Sequence, residues 1–199
     1  TAKTSGASEV SIIYTNDVHT YINNMVKVDG NYVSGLRFSK IAGLVKDMKN
    51  EGKEVILVDA GDAIQGTSYG SFDGGFSVID LMNATGYKLA AIGNHEFDYG
   101  ADHFYDISKR AKFDYVSCNL HYIGKDGKHR DFAPYKIIKA GGRKIAFIGI
   151  CTPETLTSSS PTNFQNENGD FIYSVDGCAS EKDLYASVQN SIDAVKSKV

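Results

Sequence analysis

The alternation of short apolar runs with helical patterns is the feature that most constrains how this chain can fold. The apolar runs are rich in Val, Ile, Leu or Tyr and bounded by Gly, Asn or Asp, as buried strands are: Val10–Thr15, Glu54–Asp59, Lys88–Ile92 and Asp114–Cys118. The segments between them have apolar residues at helical spacing: Leu36–Met48, Phe76–Ala84 and Ala101–Ala111. Because strands that alternate with helices pair in parallel, the sequence predicts an α/β fold with a parallel sheet covered by helices.

The alternation of strands and helices ends in the last third of the chain. Pro134–Ala140 and Arg143–Ile150 are strand-like and are separated by a Gly-Gly pair, which predicts a hairpin. Thr152–Gly177 is polar and without periodicity, and we interpret it as an irregular surface excursion. A final helix begins at a capping box formed by Ser180 and Asp183. Because another strand would follow that helix if strands and helices alternated, we expect the sequence to be cut short.

Composition excludes several classes of protein. The 199 residues are enough to bury one core, so a single domain is expected. With 21 Lys and Arg against 24 Asp and Glu, and no basic cluster, the chain is not suited to binding a nucleic acid polymer. No window approaches about 18 consecutive apolar residues, so no membrane span is expected. The three cysteines lack C-x-x-C spacing, which indicates buried free thiols rather than a disulfide framework or a zinc finger.

Side chains that can bind a metal ion follow three of the predicted strands. Asp17 and His19 follow the first strand, Asp62 follows the second, and Asn94 and His95 follow the third. Because ligands gather at the carboxyl ends of the strands in an open parallel sheet, these side chains are expected to lie close together. Carboxylate, imidazole and amide ligands suit a divalent ion such as Mn, Zn, Fe or Mg.

Each of these motifs also has an ordinary explanation. An Asp and a His two residues apart in a loop are commonly just solvated, and Gly-Asp is a frequent turn sequence. The run Gly93-Asn94-His95-Glu96 is more specific, since a fixed string of four residues arises by chance in on the order of one chain in a thousand of this length. Coincidence is a poor explanation for three motifs that follow three successive strands.

Three longer strings contain these motifs: IYTNDVH at 13–19, VDAGD at 58–62 and IGNHEFDYG at 92–100. Weaker matches to the same family pattern occur at Asn119-Leu120, Phe132–Ile137 and Gly149–Thr155. Together they resemble the calcineurin-like metallophosphoesterases and, within that family, the secreted 5′-nucleotidases. The resemblance covers most of the chain and implies a metallophosphoesterase-type α/β/β/α sandwich.

The resemblance implies a site with two divalent metal ions. Asp17 and His19 would hold the first ion, Asp62 would bridge both ions, and Asn94 would hold the second. By the same resemblance, His95 stabilises the phosphate or protonates the leaving oxygen, and Asp98 orients His95. Glu96 is interpreted as a structural residue behind the site rather than as a ligand.

The chain departs from the family pattern downstream of these motifs. The family supplies further histidine ligands after the next strands, but this sequence has no His after His129. We therefore expect residues 1–9 to be a disordered or processed start and residues 10–199 to be the N-terminal portion of the catalytic domain. The downstream ligands and the nucleotide-recognition domain would be absent, so the chain itself is expected to have little or no activity.

The leading functional interpretation is an exported hydrolase that removes phosphate from nucleoside 5′-monophosphates, with 2′,3′-cyclic nucleotides or nucleotide sugars as further substrates. The alternatives are a thiosulfate-ester hydrolase of sulfur oxidation, whose metal motifs are similar, and a non-catalytic binding domain that keeps the fold. The expected location is extracellular, at the cell surface or periplasmic. An unpaired sheet edge at the truncation is expected to favour a dimer.

Other suggestive residues are given ordinary roles. His103, His121 and His129 match no motif and are interpreted as surface or helix residues. The Tyr and Phe residues near the motifs are interpreted as core.

Overall fold

A computed structural model describes residues 9–35, 37–125 and 127–199. The predicted disordered or processed start, apart from Glu9, and the helical position Leu36 lie outside these ranges. The strands are β1 Val10–Thr15, β2 Met25–Val28, β3 Asn31–Ser34, β4 Glu54–Asp59, β5 Leu89–Ala91, β6 Asp114–Val116, β7 Leu120–Tyr122, β8 Tyr135–Ala140, β9 Arg143–Ile148 and β10 Tyr173–Val175. The α-helices are α1 Phe38–Asn50, α2 Ser68–Asp73, α3 Phe76–Thr85, α4 Ala101–Arg110, α5 Thr155–Ser158 and α6 Glu181–Val195. Two 3-10 helices cover His95–Phe97 and Pro161–Phe164.

The centre of the fold is a four-stranded sheet in the order β1-β4-β5-β6, and all of its pairs are parallel. This confirms the predicted α/β fold, and the strand bounds differ from the predicted ones by at most two residues. Helices α1, α3 and α4 supply buried side chains to the core on one face of this sheet. The side chain of Leu57, from β4, lies in the same core. The pleat turns its neighbours Ile56 and Val58 to the opposite face.

The opposite face of the sheet packs against the hairpin β8–β9. Ile56 and Val58 contact apolar side chains of that hairpin, among them Ile138, Ile145 and Phe147. The predicted Gly-Gly turn is confirmed, because both glycines adopt positive φ angles, 57° and 75°, as a type I′ hairpin turn requires. Helix α6 packs against β9. The order of layers is therefore helices, parallel sheet, hairpin and helix, as in an α/β/β/α sandwich.

The interpretation of Thr152–Gly177 as an irregular surface excursion is wrong in part. Within it, the side chains of Thr155, Phe164 and Tyr173 are buried, and β10 pairs antiparallel with β7. Phe164 and Tyr173 pack on Phe97, with ring centroids 4.6 Å and 5.5 Å away. The segment lacks periodicity because single buried residues alternate with polar turns, so its contribution to the core is invisible in the sequence pattern.

Two further expectations need correction. His129 is buried rather than at the surface, and its Nε2 lies 2.8 Å from the carboxylate of Asp102. Tyr14 and Tyr21, which flank the first motif, are exposed rather than core, and Tyr14 lies on β1, an edge strand of the sheet. Within the described ranges, no helix has the length and apolar character needed to cross a bilayer.

Candidate metal centre

The loops that follow β1, β4 and β5 meet at the carboxyl edge of the parallel sheet. The loop after β1 continues alongside the loop after β4 through backbone hydrogen bonds. The N–H groups of Asp17 and His19 donate to the carbonyls of Gly61 and Asp62 at 3.1 Å and 2.9 Å. These bonds extend the register of the parallel pair beyond the strands. They hold the first two predicted motifs side by side.

The backbone of these loops is strained. Asp17, His19, Thr20 and Asp62 adopt left-handed conformations with φ angles of 52°, 44°, 56° and 61°. Residues other than glycine rarely adopt this conformation, and each such residue costs about 1–3 kcal/mol that the surrounding structure must offset. Strain of this kind clusters at functional sites, and here three of the four residues, Asp17, His19 and Asp62, are predicted ligands.

Three side chains converge in front of these loops. Each of His19, Asp62 and His95 offers one ligand atom, and these atoms lie within 4.8 Å of one another. His19 Nδ1 lies 3.0 Å from the carbonyl oxygen of Gln65. Since a carbonyl only accepts hydrogen bonds, Nδ1 carries the proton in that contact and Nε2 keeps a lone pair for a metal ion.

Asp62 and Asp17 bring negative charge to this cluster. Burial and the neighbouring Asp17 carboxyl group raise the pKa of Asp62, against the backbone N–H of His95, which donates to its Oδ1 at 2.9 Å. Among the described residues, neither Asp17 nor Asp62 forms an ion pair with Lys or Arg. Adjacent carboxylates without a protein cation, together with two imidazoles, form a donor set that fits a divalent metal ion.

Gly93 is required for the close approach of the loops after β4 and β5. A Cβ atom at this position would lie 2.2 Å from Oδ1 of Asp62, which is closer than any real contact. The glycine of the Gly-Asn-His-Glu string therefore leaves room for the carboxylate that the preceding motif supplies.

Glu96 has the structural role that the sequence suggested. Its buried carboxylate accepts hydrogen bonds from the backbone N–H groups of Asp62, Ala63 and Gly93, at 2.9, 2.9 and 2.7 Å. Burial, followed by the charge of Asp62, raises the pKa of Glu96 to about 7. Glu96 thus joins the loops after β4 and β5 from behind the cluster.

His95 is held by a chain of hydrogen bonds. Its Nδ1 lies 2.6 Å from Oδ2 of Asp98, whose Oδ1 accepts from the hydroxyl of Ser159 at 2.7 Å. The amide of Asn163 in turn donates to Ser159 at 3.2 Å. Burial lowers the pKa of His95, but the hydrogen bond and charge of Asp98 outweigh it, so the net shift is upward.

The structure brings most of the predicted site residues together. Asp17 lies at the exposed rim, with Oδ1 3.6 Å from Nε2 of His19. Asn94 is half-buried, and its side chain makes no hydrogen bond to any described residue. His95, predicted as a catalytic residue, also lies within the possible ligand group. Ser159 and Asn163 were missed, because a Ser-rich segment about 60 residues downstream of Asp98 carries no signal that it returns to the site.

Comparisons with known proteins show which proteins this chain is similar to. The family model for calcineurin-like phosphoesterases matches residues 10–184. A snake venom 5′-nucleotidase from Gloydius brevicauda is 34% identical over 163 residues, which cover 79% of this chain and 28% of that protein. A 2′,3′-cyclic-nucleotide 2′-phosphodiesterase/3′-nucleotidase from Haemophilus influenzae is 30% identical over 174 residues, covering 78% of this chain and 26% of that protein. The chain thus spans less than a third of the length of these curated relatives.

Solved structures show the same likeness. The 5′-nucleotidase precursor from Thermus thermophilus superposes with a TM-score of 0.79 and 26% identity, over 95% of this chain and 35% of that one. A sulfate thiohydrolase from Thermus thermophilus superposes at 0.71 over 96% of this chain and 42% of that one, but at 12% identity the likeness shows the fold alone. The motifs, the fold and the family match together show that this chain belongs to the calcineurin-like phosphoesterase family.

Proposed function

We propose that this chain is part of a hydrolase that uses two divalent metal ions to remove phosphate from nucleotides. Its activity would be that of a 5′-nucleotidase, or of a 2′,3′-cyclic phosphodiesterase. The observation that carries this proposal is the convergence of His19, Asp62 and His95 beside the hydrogen-bonded pair of His95 and Asp98. The nucleotidase and cyclic-nucleotide phosphodiesterase relatives support a nucleotide as substrate.

The metal ligands would divide between the two ions. Asp17 and His19 would hold the first ion, Asp62 would bridge, and Asn94 would hold the second. When bound, two such ions lower the pKa of a bound water and stabilise the charge on the phosphate oxygens. Carboxylate, imidazole and amide donors are compatible with Mn, Zn, Fe or Mg.

His95 would act on the phosphate ester itself. Because its Nδ1 faces Asp98, Nε2 is the nitrogen left for the substrate. The hydrogen bond and charge of Asp98 raise the pKa of His95 and so favour the protonated ring more than in a free histidine, and in that form His95 can stabilise the phosphate charge or donate a proton to the leaving oxygen. Asp98 keeps the ring oriented for either task.

The second ion needs more ligands than the cluster supplies. Asp62 and Asn94 would give it two protein ligands, whereas catalytic ions usually have at least three. The curated relatives are also more than three times as long as the matched region. We therefore propose that residues 10–199 form the N-terminal portion of a catalytic domain. Further ligands and a nucleotide-recognition domain would lie elsewhere in a longer protein, so the chain alone would have little or no activity.

Location and assembly are part of the same proposal. The venom nucleotidases among the relatives favour an extracellular, cell-surface or periplasmic location. The edge strand β1, which carries the exposed Ile12 and Tyr14, favours a dimer formed through this side of the sheet. A binding domain without catalysis is disfavoured, because such a domain would not need Asp98 and Ser159 to orient His95.

Metal retention tests the centre directly. The purified chain is loaded with Mn²⁺, dialysed and analysed for metal content, together with Asp62→Ala. We expect about one or more ions per chain in the wild type and a loss of retained metal in the variant, because Asp62 contributes to both ions.

Asp193→Ala is the matched control, since Asp193 is an exposed aspartate on α6 that pairs with Lys196. It should retain as much metal as the wild type. Asp62→Asn keeps the shape of the side chain and removes its charge, which separates weakened metal binding from loss of folding. Equal metal retention in the wild type and both Asp62 variants would show that Asp62 does not bind the metal ions.

A further inference from the structure

A cleft of about 440 Å³ opens directly beside the metal centre. One wall is formed by residues at the end of β1 and just after it, including Tyr14, Asn16 and Asp17. The other wall is formed by the start of α1, where Arg37 lies. Because Asp17 also faces His19, the cleft is continuous with the metal centre. Its volume is within the range of small-molecule sites.

Arg37 has unused hydrogen-bonding capacity in this cleft. Among the described residues, its buried Nε has no hydrogen-bond partner, and its Nη2 donates only to the sulfur of Met25, at 3.7 Å. No carboxylate within the described ranges forms an ion pair with it. The nearby Asn24 likewise has a buried, unpartnered Oδ1. Because Nε of Arg37 is enclosed by protein, the terminal Nη atoms are the ones that a ligand in the cleft can reach, and an anion with oxygen acceptors would pair with them.

The mouth of the cleft has flat apolar surfaces. Tyr14 and Tyr21 both line it and are 71% and 54% exposed. The buried side chains of Phe38 and Ile41 line it further in. The cleft thus combines one unpaired cation with aromatic and amide groups, next to a site proposed to hold a phosphate.

We propose that this cleft binds a second phosphate group of the substrate, on Arg37, while the reacting phosphate lies at the metal centre. This inference rests on the proposed phosphoesterase function. A guanidinium donates two parallel hydrogen bonds to a phosphate and is the side chain best matched to it. The substrates selected are nucleotides with two phosphate groups, in preference to monophosphates.

The test compares ADP with AMP on the 199-residue chain in the presence of Mg²⁺. Binding is followed by NMR through the Nε–H resonance of Arg37, and affinity by titration. We expect ADP to shift this resonance and to bind about tenfold more tightly than AMP, which is the size of effect that one charge-assisted phosphate contact gives. In Arg37→Gln the ratio of the two affinities should fall to about one.

Arg143→Gln is the matched control, because Arg143 is an exposed arginine at the β8–β9 turn. It should keep the tenfold preference, and Arg37→Lys should keep part of it because the charge remains. Equal affinity for ADP and AMP in the wild type, no response of Arg37, or an unchanged ratio in Arg37→Gln would each overturn the proposal. If Arg37→Gln weakens the binding of ADP and AMP equally, the ratio is unchanged and the proposal is overturned, because Arg37 would then contact a part common to both nucleotides.

Metal retention, measured on the same samples without nucleotide, reports separately on the proposed function. If the chain retains Mn²⁺ through Asp62 but does not prefer ADP, the proposal for the cleft is contradicted and the proposed metal centre is not.

Discussion

Ser159 shows how a residue outside the recognised motifs can determine the state of one inside them. Its hydroxyl donates to Oδ1 of Asp98, and the other oxygen of that carboxylate faces Nδ1 of His95. Ser159 is buried, so water does not readily replace it. Without it, Asp98 would keep one hydrogen bond fewer and could turn away from the ring. Ser159 is therefore a positioning residue for His95.

We expect Ser159→Ala to lower phosphate release from AMP by about tenfold in the complete enzyme, the lower end of the effect seen for residues that orient metal-site groups. Metal retention should not change, because Ser159 acts on His95 through Asp98 and forms no hydrogen bond with the proposed metal ligands. Steady-state kinetics should place the loss in kcat rather than KM.

Ser158→Ala is the control for this substitution, since the neighbouring Ser158 is exposed. Ser159→Thr keeps a hydroxyl and should recover part of the activity. An unchanged kcat in Ser159→Ala would show that Asp98 orients His95 without help.

At the scale of elements, the segment between α5 and β10 joins the active-site loops to the core. Phe164 is fully buried against Phe97, the residue that closes the 3-10 helix beginning at His95. Phe104 also packs on Phe97, with ring centroids 4.9 Å apart. The packing of this aromatic group supports the turn that carries the histidine.

We expect Phe164→Ala to reduce the free energy of unfolding by about 3–5 kcal/mol, because it leaves a cavity beneath that turn. Urea unfolding followed by circular dichroism measures this loss. Phe171→Ala, seven residues further along and 44% exposed, should cost far less. Similar losses for the two variants would mean that the segment does not pack as described.

The sequence predicted those elements whose signals are local. The strands before Asp17, Asp62 and Asn94 are continuous apolar runs, and parallel pairing then requires that their carboxyl ends meet. Strands β7 and β10 have three residues each, too few for a period to emerge. The exposure of Tyr14 depends on β1 being at the edge of the sheet, which no local pattern encodes.

At the scale of the whole molecule, buried carboxylates make stability depend on pH. Asp59 is buried beside Thr15 and the backbone N–H of Gly61, and burial raises its pKa to about 7. The folded state therefore favours the protonated form. Between the ordinary pKa of an aspartate, about 4, and pH 7, the folded chain binds more protons than the unfolded chain.

We accordingly expect the metal-free chain to lose stability as the pH rises from about 4 to 7 and to change little through this group above that range. Chemical unfolding at a series of pH values measures the slope. In Asp59→Asn the slope should shrink without vanishing, because Glu96, whose pKa is also raised to about 7, still contributes. A slope identical to that of the wild type would mean that Asp59 titrates normally.

The left-handed backbone at three predicted metal ligands, Asp17, His19 and Asp62, has a consequence for how the stability of this protein can be engineered. Glycine would adopt these conformations without strain, so at these positions the most stable sequence and the metal-binding sequence differ. A library selected for heat resistance alone would drift toward glycine at these loops and lose the metal centre, whereas selection for activity would hold them fixed.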